Sequence, residues 1–199
     1  MLRALSLLEP PDSGTIRVDS ASYDFPLEEE QQIIPPWPKV TVVFQQLFLW
    51  PHLTLQQNLR LPLRGLDAAV VTPRINHLVQ KFNLLSCIDR FPNQTSLGQR
   101  QRAALVRALV LQPSYLLLDE ITSALDLESI SVVLGHLEEL RNEGVGILIV
   151  THLTGFARRA ADRIIFLESG CVLESGGREV LENPSHERVK RFLSVMGEN

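Results

Sequence analysis

The chain has 199 residues, of which 45% are hydrophobic, and it carries a formal net charge of −4 at pH 7. This length allows one sizeable core, or one core with an inserted subdomain. Because the sequence has no basic patch that would neutralise phosphates, its charge pattern excludes nucleic acid as the main partner.

Cysteine usage and hydrophobic runs exclude further classes of protein. Cys87 and Cys171 lie far apart without C-x-x-C spacing, which favours a reducing, cytosolic compartment over a disulfide framework or a metal site. The longest stretch without a charge, residues 108–118, is far shorter than the ~20 apolar residues of a membrane span. Glu9 interrupts the N-terminal apolar run, so we expect no signal peptide.

Five β-rich runs alternate with segments of helical spacing along the chain. The runs are G-T-I-R-V at 14–18, K-V-T-V-V-F at 39–44, Y-L-L-L-D at 115–119, G-I-L-I-V-T at 146–151 and R-I-I-F-L-E at 163–168. This alternation indicates an α/β fold. The central runs are almost entirely apolar, which is typical of parallel strands covered on both faces.

Between these runs the sequence predicts helices. Residues 56–63, 75–82 and 99–111 have helical spacing, with Pro62, Pro73, Pro92 and Pro113 as punctuation. We therefore predict an all-helical insert at 49–112 within an α/β core formed by 1–48 and 113–199. A further helix at 127–143 has an apolar stripe and a glycine stop, and it is expected to cover the sheet.

Two adjacent carboxylates, Asp119 and Glu120, end the apolar run at 115–118. Ligands of open α/β sheets bind beyond the carboxyl ends of the strands, where one carboxylate can hold Mg²⁺ and a second can orient a water. The pair alone is equally consistent with a turn cap and an exposed glutamate. The next β-rich run is followed by His152, which would share this rim if the two strands are neighbours.

In this order, the motifs resemble those of the nucleotide-binding subunit of an ATP-binding cassette (ABC) transporter, over nearly the whole chain. V-V-F-Q-Q-L-F-L-W-P-H-L-T (42–54) resembles the Q-loop, L-L-L-D-E (116–120) the Walker B strand, and S-A-L-D (123–126) the D-loop. His152 matches the switch histidine of the family. The segments 168–176 and 182–193 resemble the closing strands and C-terminal helix of importers for polar amino acids.

The resemblance implies a role for each residue that matches a motif. Glu120 would polarise the hydrolytic water, and His152 would sense the γ-phosphate of ATP. Asp119 and Gln45 would serve Mg²⁺, with Gln45 also reaching the attacking water. Asp126 would lie on the loop that crosses between two subunits.

The segment Q-T-S-L-G-Q-R-Q-R (94–102) occupies the position where the family reads L-S-G-G-Q. Ser96 and Gln99 have capping-box spacing, which predicts a helix that runs to Gln112 and an N-terminus suited to anions. Without the other motifs, a plain helix cap would be the default interpretation. The resemblance implies that Ser96, Gly98 and Gln99 contact ATP held by the opposite subunit. Leu97 departs from the family pattern by placing a side chain where backbone should approach phosphate.

The sequence contains no G-x-x-x-x-G-K-[ST] motif, the loop whose N–H groups cradle phosphate. None of its three lysines, Lys39, Lys81 and Lys190, lies in a glycine-rich turn. Residues 1–14 resemble the helix that follows this motif and the turn after it. We therefore expect an N-terminally truncated, P-loop NTPase-like core that lacks about 30 residues. Without that loop, the 199-residue chain taken literally would bind ATP with millimolar affinity or not at all.

The resemblance implies a transport-coupled ATPase that uses ATP and Mg²⁺. Such a subunit would form a head-to-tail homodimer. Closure of the dimer would be transmitted to membrane permease subunits through a groove at 45–63. A solute-binding protein would be an indirect partner. It would lie in the cytoplasm, peripheral to the inner face of the cell membrane.

Two other functions are alternatives to this one. One is a degenerate, non-catalytic ABC-like interaction subunit. The missing loop and Leu97 favour it, whereas the intact residues Asp119, Glu120, Asp126 and His152 count against it. The other is a soluble ABC ATPase of repair or translation, for which the chain lacks basic surface or a second cassette. The transported substrate and the direction of transport stay open.

Overall fold

The computed structural model describes residues 1–27, 33–121 and 127–196, with the side chains of 127–129 outside the described set. In this part of the chain the strands are β1 (Gly14–Val18), β2 (Ala21–Phe25), β3 (Val40–Val43), β4 (Tyr115–Asp119), β5 (Gly146–Val150), β6 (Ile164–Glu168) and β7 (Cys171–Gly176). The α-helices are α1 (Leu2–Leu5), α2 (Leu55–Arg60), α3 (Ala68–Lys81), α4 (Leu97–Leu109), α5 (Leu127–Asn142), α6 (Thr154–Ala160), α7 (Glu179–Glu182) and α8 (Glu187–Met196). Short 3-10 turns occupy Leu61–Leu63 and Pro92–Gln94.

The centre of the fold is a three-stranded parallel sheet in the order β3-β4-β5. Successive leucines of β4 point to opposite faces, as the two-residue period of a strand requires. Leu116 and Leu118 are fully buried in the large core cluster, whereas Leu117 packs with Leu2 of α1 on the other face. The prediction of parallel strands covered on both faces is therefore confirmed for these three runs.

The first and last predicted runs do not join this sheet. β1 pairs with β2, and β6 pairs with β7, as two separate antiparallel hairpins. In the second hairpin Ser169 and Gly170 both have positive φ, at 50° and 80°, which suits the tight turns that connect antiparallel strands. Short turns of this kind keep consecutive strands together, so β1 and β6 pair locally.

The region from 49 to 112 contains only helices and turns. Helix α3 begins at Ala68, earlier than predicted, because the Asp67 side chain accepts the Ala69 N–H as a cap. Pro73 lies inside this helix, so its predicted role as a helix boundary is wrong. The buried stripe Val71, Ile75 and Val79 outweighs the one backbone hydrogen bond that a proline removes.

One continuous apolar cluster joins these helices to the sheet. It includes side chains of α2, α3, α4, β4 and α5, among them Leu59, Ile75, Val106, Leu118 and Leu134. Helix α5 contributes Val133, Leu134 and Leu137 and ends before Gly144, whose φ is +88°. The predicted cover helix and its glycine stop are therefore confirmed, while the division into a 49–112 insert and a surrounding core stays a prediction.

The C-terminal part closes on the β6–β7 hairpin. Phe192 of α8 packs edge-on against Phe166 of β6, with ring centroids 5.9 Å apart. The Glu174 carboxylate accepts the N–H groups of Ser185 and His186 just before α8, and these hydrogen bonds hold the pKa of Glu174 below its usual value. No helix in the described ranges is both long and apolar enough to span a membrane.

Candidate functional site

The carboxyl ends of the parallel strands meet at one rim of the sheet. β3 ends two residues before Gln45, β4 ends at Asp119, and β5 ends two residues before His152. Asp119 is paired with Val150 of β5 in the parallel register. The predicted neighbour relation between the strands that precede Glu120 and His152 therefore exists, and it places both residues at the same rim.

Glu120 lies at the centre of this rim. Its Oε2 atom accepts a hydrogen bond from Nε2 of Gln45 at 3.1 Å, and its Oε1 atom lies 3.3 Å from Nδ1 of His152. Its backbone N–H donates to the carbonyl of Val150 at 2.9 Å. Two residues that are distant in sequence, Gln45 and His152, are thus held around one carboxylate.

The backbone of Glu120 is in the left-handed region, with φ +46°. For a residue other than glycine this conformation costs about 1–2 kcal/mol. Such strain persists only where the surrounding structure enforces it, and it is concentrated at functional sites. The sequence gives no sign of this conformation, which turns the chain sharply at the end of β4.

The neighbouring carboxylate, Asp119, is the last residue of β4 and is half-buried. None of the residues that the structure describes donates a hydrogen bond to it. Mg²⁺ takes hard oxygen ligands, commonly one or two carboxylates together with substrate phosphates. The oxygen donors of Asp119 and the Gln45 amide fit that chemistry.

The predicted signature segment forms a helix cap at the start of α4. The Oγ atom of Ser96 accepts the Gln99 N–H at 3.2 Å, and the Oε1 atom of Gln99 accepts the Ser96 N–H at 2.9 Å. The capping box is confirmed, although α4 ends at Leu109 and not at Gln112. Leu97, in the first turn, is 42% exposed. No hydrogen bond between described residues joins Ser96, Gly98 or Gln99 to the Glu120 rim.

Asp126, the remaining predicted site residue, falls in 122–126 and so lies outside the described residues. The structure therefore brings together Gln45, Glu120 and His152, with Asp119 adjacent. It leaves Ser96, Gly98 and Gln99 at a separate helix N-terminus. The catalytic and ligand-binding roles of all these residues stay predictions.

Sequence reasoning missed Asn58, a fully buried residue of α2. Its Nδ2 atom lies within hydrogen-bond distance of the carbonyls of Trp50, Leu53 and Thr54, and its Oδ1 atom accepts the Trp50 N–H. These bonds fold the segment that follows Gln45. A signal was present, because Asn58 occupies the apolar stripe of its helix between Leu55 and Leu59.

Comparison with known proteins gives consistent results. The family model for ABC transporters matches residues 1–123. The arginine transport ATP-binding protein ArtP of Escherichia coli strain K12 is 38% identical over 198 residues, which cover 98% of this chain and 82% of that protein. The glutamine transport ATP-binding protein GlnQ of the same strain is 37% identical over 197 residues, which cover 97% of this chain and 81% of that protein.

Solved structures agree with these relatives. The dimeric ATP-binding cassette MJ0796, in a post-hydrolysis state bound to ADP and Pi, superposes with a TM-score of 0.77 at 30% sequence identity. The match covers 89% of this chain and 79% of that one.

Proposed function

The chain belongs to the ABC transporter family, and we propose that it is the ATP-binding and ATP-hydrolysing subunit that energises import of a polar amino acid. The arginine and glutamine transport relatives support the class of cargo. The observation that carries the catalytic part of the proposal is the array of Gln45, Glu120 and His152 at one sheet rim.

In this proposal Asp119 and Gln45 hold Mg²⁺, with the phosphates of ATP completing its oxygen ligands. The ion, when bound, neutralises charge that develops on the phosphate oxygens. Asp119 is suited to this role because the end of β4 fixes its backbone.

Glu120 holds and polarises the water that attacks the γ-phosphate. An ionised carboxylate accepts several hydrogen bonds at once, so it can bind water in addition to Gln45 and His152. The two neighbours fix the rotamer of the glutamate, which keeps the water in line. The Nδ1 atom of His152 lies 3.3 Å from Glu120, and the histidine side chain is half-exposed. This position suits a residue that senses the γ-phosphate.

The N-terminus of α4 supplies the second half of the nucleotide site in a head-to-tail homodimer. Ser96, Gly98 and Gln99 line this N-terminus, where backbone N–H groups and the helix dipole favour an anion. The dimeric cassette MJ0796 supports this assembly. Asp126 is proposed to lie on the loop between subunits.

Membrane permease subunits are the proposed partners of the groove at 45–63. Phe48 and Trp50 in this groove are 54% and 50% exposed, which provides apolar surface for such a contact. A solute-binding protein acts indirectly, through the permease. The subunit would therefore work in the cytoplasm, peripheral to the inner face of the membrane.

A non-catalytic interaction subunit is the second candidate. The sequence favours it at one point, since it carries Leu97 at the α4 N-terminus. A subunit of this kind would keep the permease contact without turning over ATP.

The two candidates are separated by ATP hydrolysis measured on the protein co-purified with its membrane subunits. The proposed function predicts Mg²⁺-dependent hydrolysis that Asp119→Asn abolishes. Asp89→Asn, at an exposed position, serves as the matched control and should hydrolyse at the wild-type rate. Co-purification without hydrolysis would instead establish the non-catalytic subunit.

A further inference from the structure

Arg107 of helix α4 reaches across to the segment that follows Gln45. Its Nη1 atom donates to the carbonyl of Phe48 at 2.6 Å, and its Nη2 atom donates to the carbonyl of Leu47 at 2.8 Å. One guanidinium thus binds two consecutive backbone carbonyls. The same helix begins at the Ser96 cap, so Arg107 connects the proposed phosphate-binding helix with the Gln45 segment.

These two carbonyls are hydrogen-bond acceptors for the charged guanidinium of Arg107. Burial lowers the pKa of the guanidinium from its ordinary value, although an arginine stays protonated. Within the described ranges no carboxylate lies at ion-pair distance from it. Charge-assisted hydrogen bonds are stronger than neutral ones, and the planar fork of arginine fits two acceptors at once where lysine is a point charge.

The contact also holds a strained backbone. Phe48 has φ +48°, in the left-handed region that residues other than glycine rarely adopt. Its ring packs edge-on against Phe44, with centroids 5.9 Å apart, so the residues on either side of Gln45 are tied to each other. Asn58 fixes the far end of the segment at Trp50.

We propose that Arg107 is a positioning residue for Gln45. By holding residues 47 and 48, it keeps the segment in the conformation in which the Gln45 amide reaches Glu120. This inference rests on the proposed function for its consequence in catalysis, but its structural part is independent of ATP.

The structural part is tested by NMR of the Gln45 side-chain amide in the full chain. In Arg107→Met we expect the Nε2 protons to shift toward the values of a free glutamine and to exchange with water about tenfold faster, as the loss of a charge-assisted bond implies. Arg107→Lys keeps the charge without the fork and should show a smaller shift in the same direction. An unchanged Gln45 amide in both variants would overturn the proposal.

Arg100 offers a matched control in the same helix. Its Nη1 atom binds the carbonyls of Pro92 and Thr95, at 3.0 and 2.9 Å, in another segment. Arg100→Met should perturb resonances near 92–96 and leave the Gln45 amide unchanged. If it moves the Gln45 amide as much as Arg107→Met does, the effect is general loosening of α4 and the proposal is wrong.

The catalytic consequence is tested by a double-mutant cycle in the assembled transporter. Arg107→Met should lower kcat about tenfold with an unchanged KM for ATP, and it should have no further effect in a Gln45→Ala background. Effects that multiply would show that Arg107 does not act through Gln45. A wild-type assembly without hydrolysis would contradict the proposed function, while the NMR result would still decide the role of Arg107.

Discussion

Glu120 and His152 follow adjacent parallel strands, and their side chains meet at the end of those strands, with Oε1 and Nδ1 3.3 Å apart. The contact depends on the register of the sheet, because Asp119 pairs with Val150 and both chains then leave the sheet at the same level. The left-handed backbone of Glu120 completes the approach. A histidine and a carboxylate in direct contact can fix each other's side chain, so that the carboxylate orients a water beside them.

The first prediction concerns this contact. His152→Ala removes the ring that holds Glu120 and should lower kcat for ATP hydrolysis by about 100-fold, within the range of a lost acid–base group. The measurement is steady-state hydrolysis by the transporter assembly. His77→Ala, at an exposed position of α3, is the control. Equal rates for both variants would exclude His152 from the reaction.

A second prediction concerns Leu97 in the first turn of α4. Leu97→Gly opens the helix N-terminus to phosphate and should strengthen ATP-dependent dimerisation about tenfold, which corresponds to one added charge-assisted hydrogen bond. Sedimentation with and without ATP measures the dimer dissociation constant. Leu85→Gly, at a similarly exposed leucine, controls for the lost side chain. Dimerisation that stays the same or weakens would show that Leu97 does not obstruct a nucleotide.

Asn58 is the subject of a stability prediction. Asn58→Ala removes a fully buried side chain together with the partners of the Trp50 N–H and the Leu53 carbonyl, and it should lower the free energy of unfolding by about 3 kcal/mol. Urea unfolding followed by circular dichroism measures the change. Asn142→Ala, at an exposed position, should change stability by less than about 0.5 kcal/mol. Similar stabilities for the two variants would contradict the assigned bonds.

The contact between α3 and α5 predicts a pH dependence. The Lys81 ammonium, and then His136, hold the pKa of the Glu139 carboxyl below its ordinary value of 4.5. A depressed carboxyl pKa stabilises the fold above the unfolded value, and this stabilisation is lost as the pH falls through the folded value.

Wild-type protein should therefore lose more unfolding free energy than Glu139→Gln between neutral pH and a pH below 4.5. Urea titrations at a series of pH values measure the difference. The neighbouring Glu138→Gln should follow the wild-type curve. A pH profile of Glu139→Gln that overlays the wild type would show that the Lys81 contact does not persist in solution.

Much of the fold could be predicted from the sequence because its strongest patterns are long and apolar. The runs at 115–119 and 146–151 contribute side chains to apolar clusters on both faces of the sheet, so their composition identified them as parallel strands. Strand β2 was missed because A-S-Y-D-F mixes polar and apolar residues on a half-exposed hairpin. The helix prediction around Pro73 was wrong because burial of the neighbouring side chains outweighed the low helix propensity of proline.

The candidate site was predictable in part for the same reason. Motif order identified Asp119, Glu120, Gln45 and His152, and the matches to ABC proteins confirm the family and the P-loop NTPase-like fold. The positive φ of Glu120 and the carbonyl contacts of Arg107 depend on tertiary geometry. The contacts of Arg107 join residues that are 59 and 60 positions apart. Local sequence patterns do not encode contacts over such a separation.

We propose that Glu120 polarises the attacking water while other groups bind the nucleotide. The most direct test is Glu120→Gln in the assembled transporter, with ATP binding and ATP hydrolysis measured on the same sample. Hydrolysis should fall by about 100-fold or more with ATP binding retained, because the amide keeps the shape of the side chain but cannot accept a proton. Hydrolysis at the wild-type rate would contradict it.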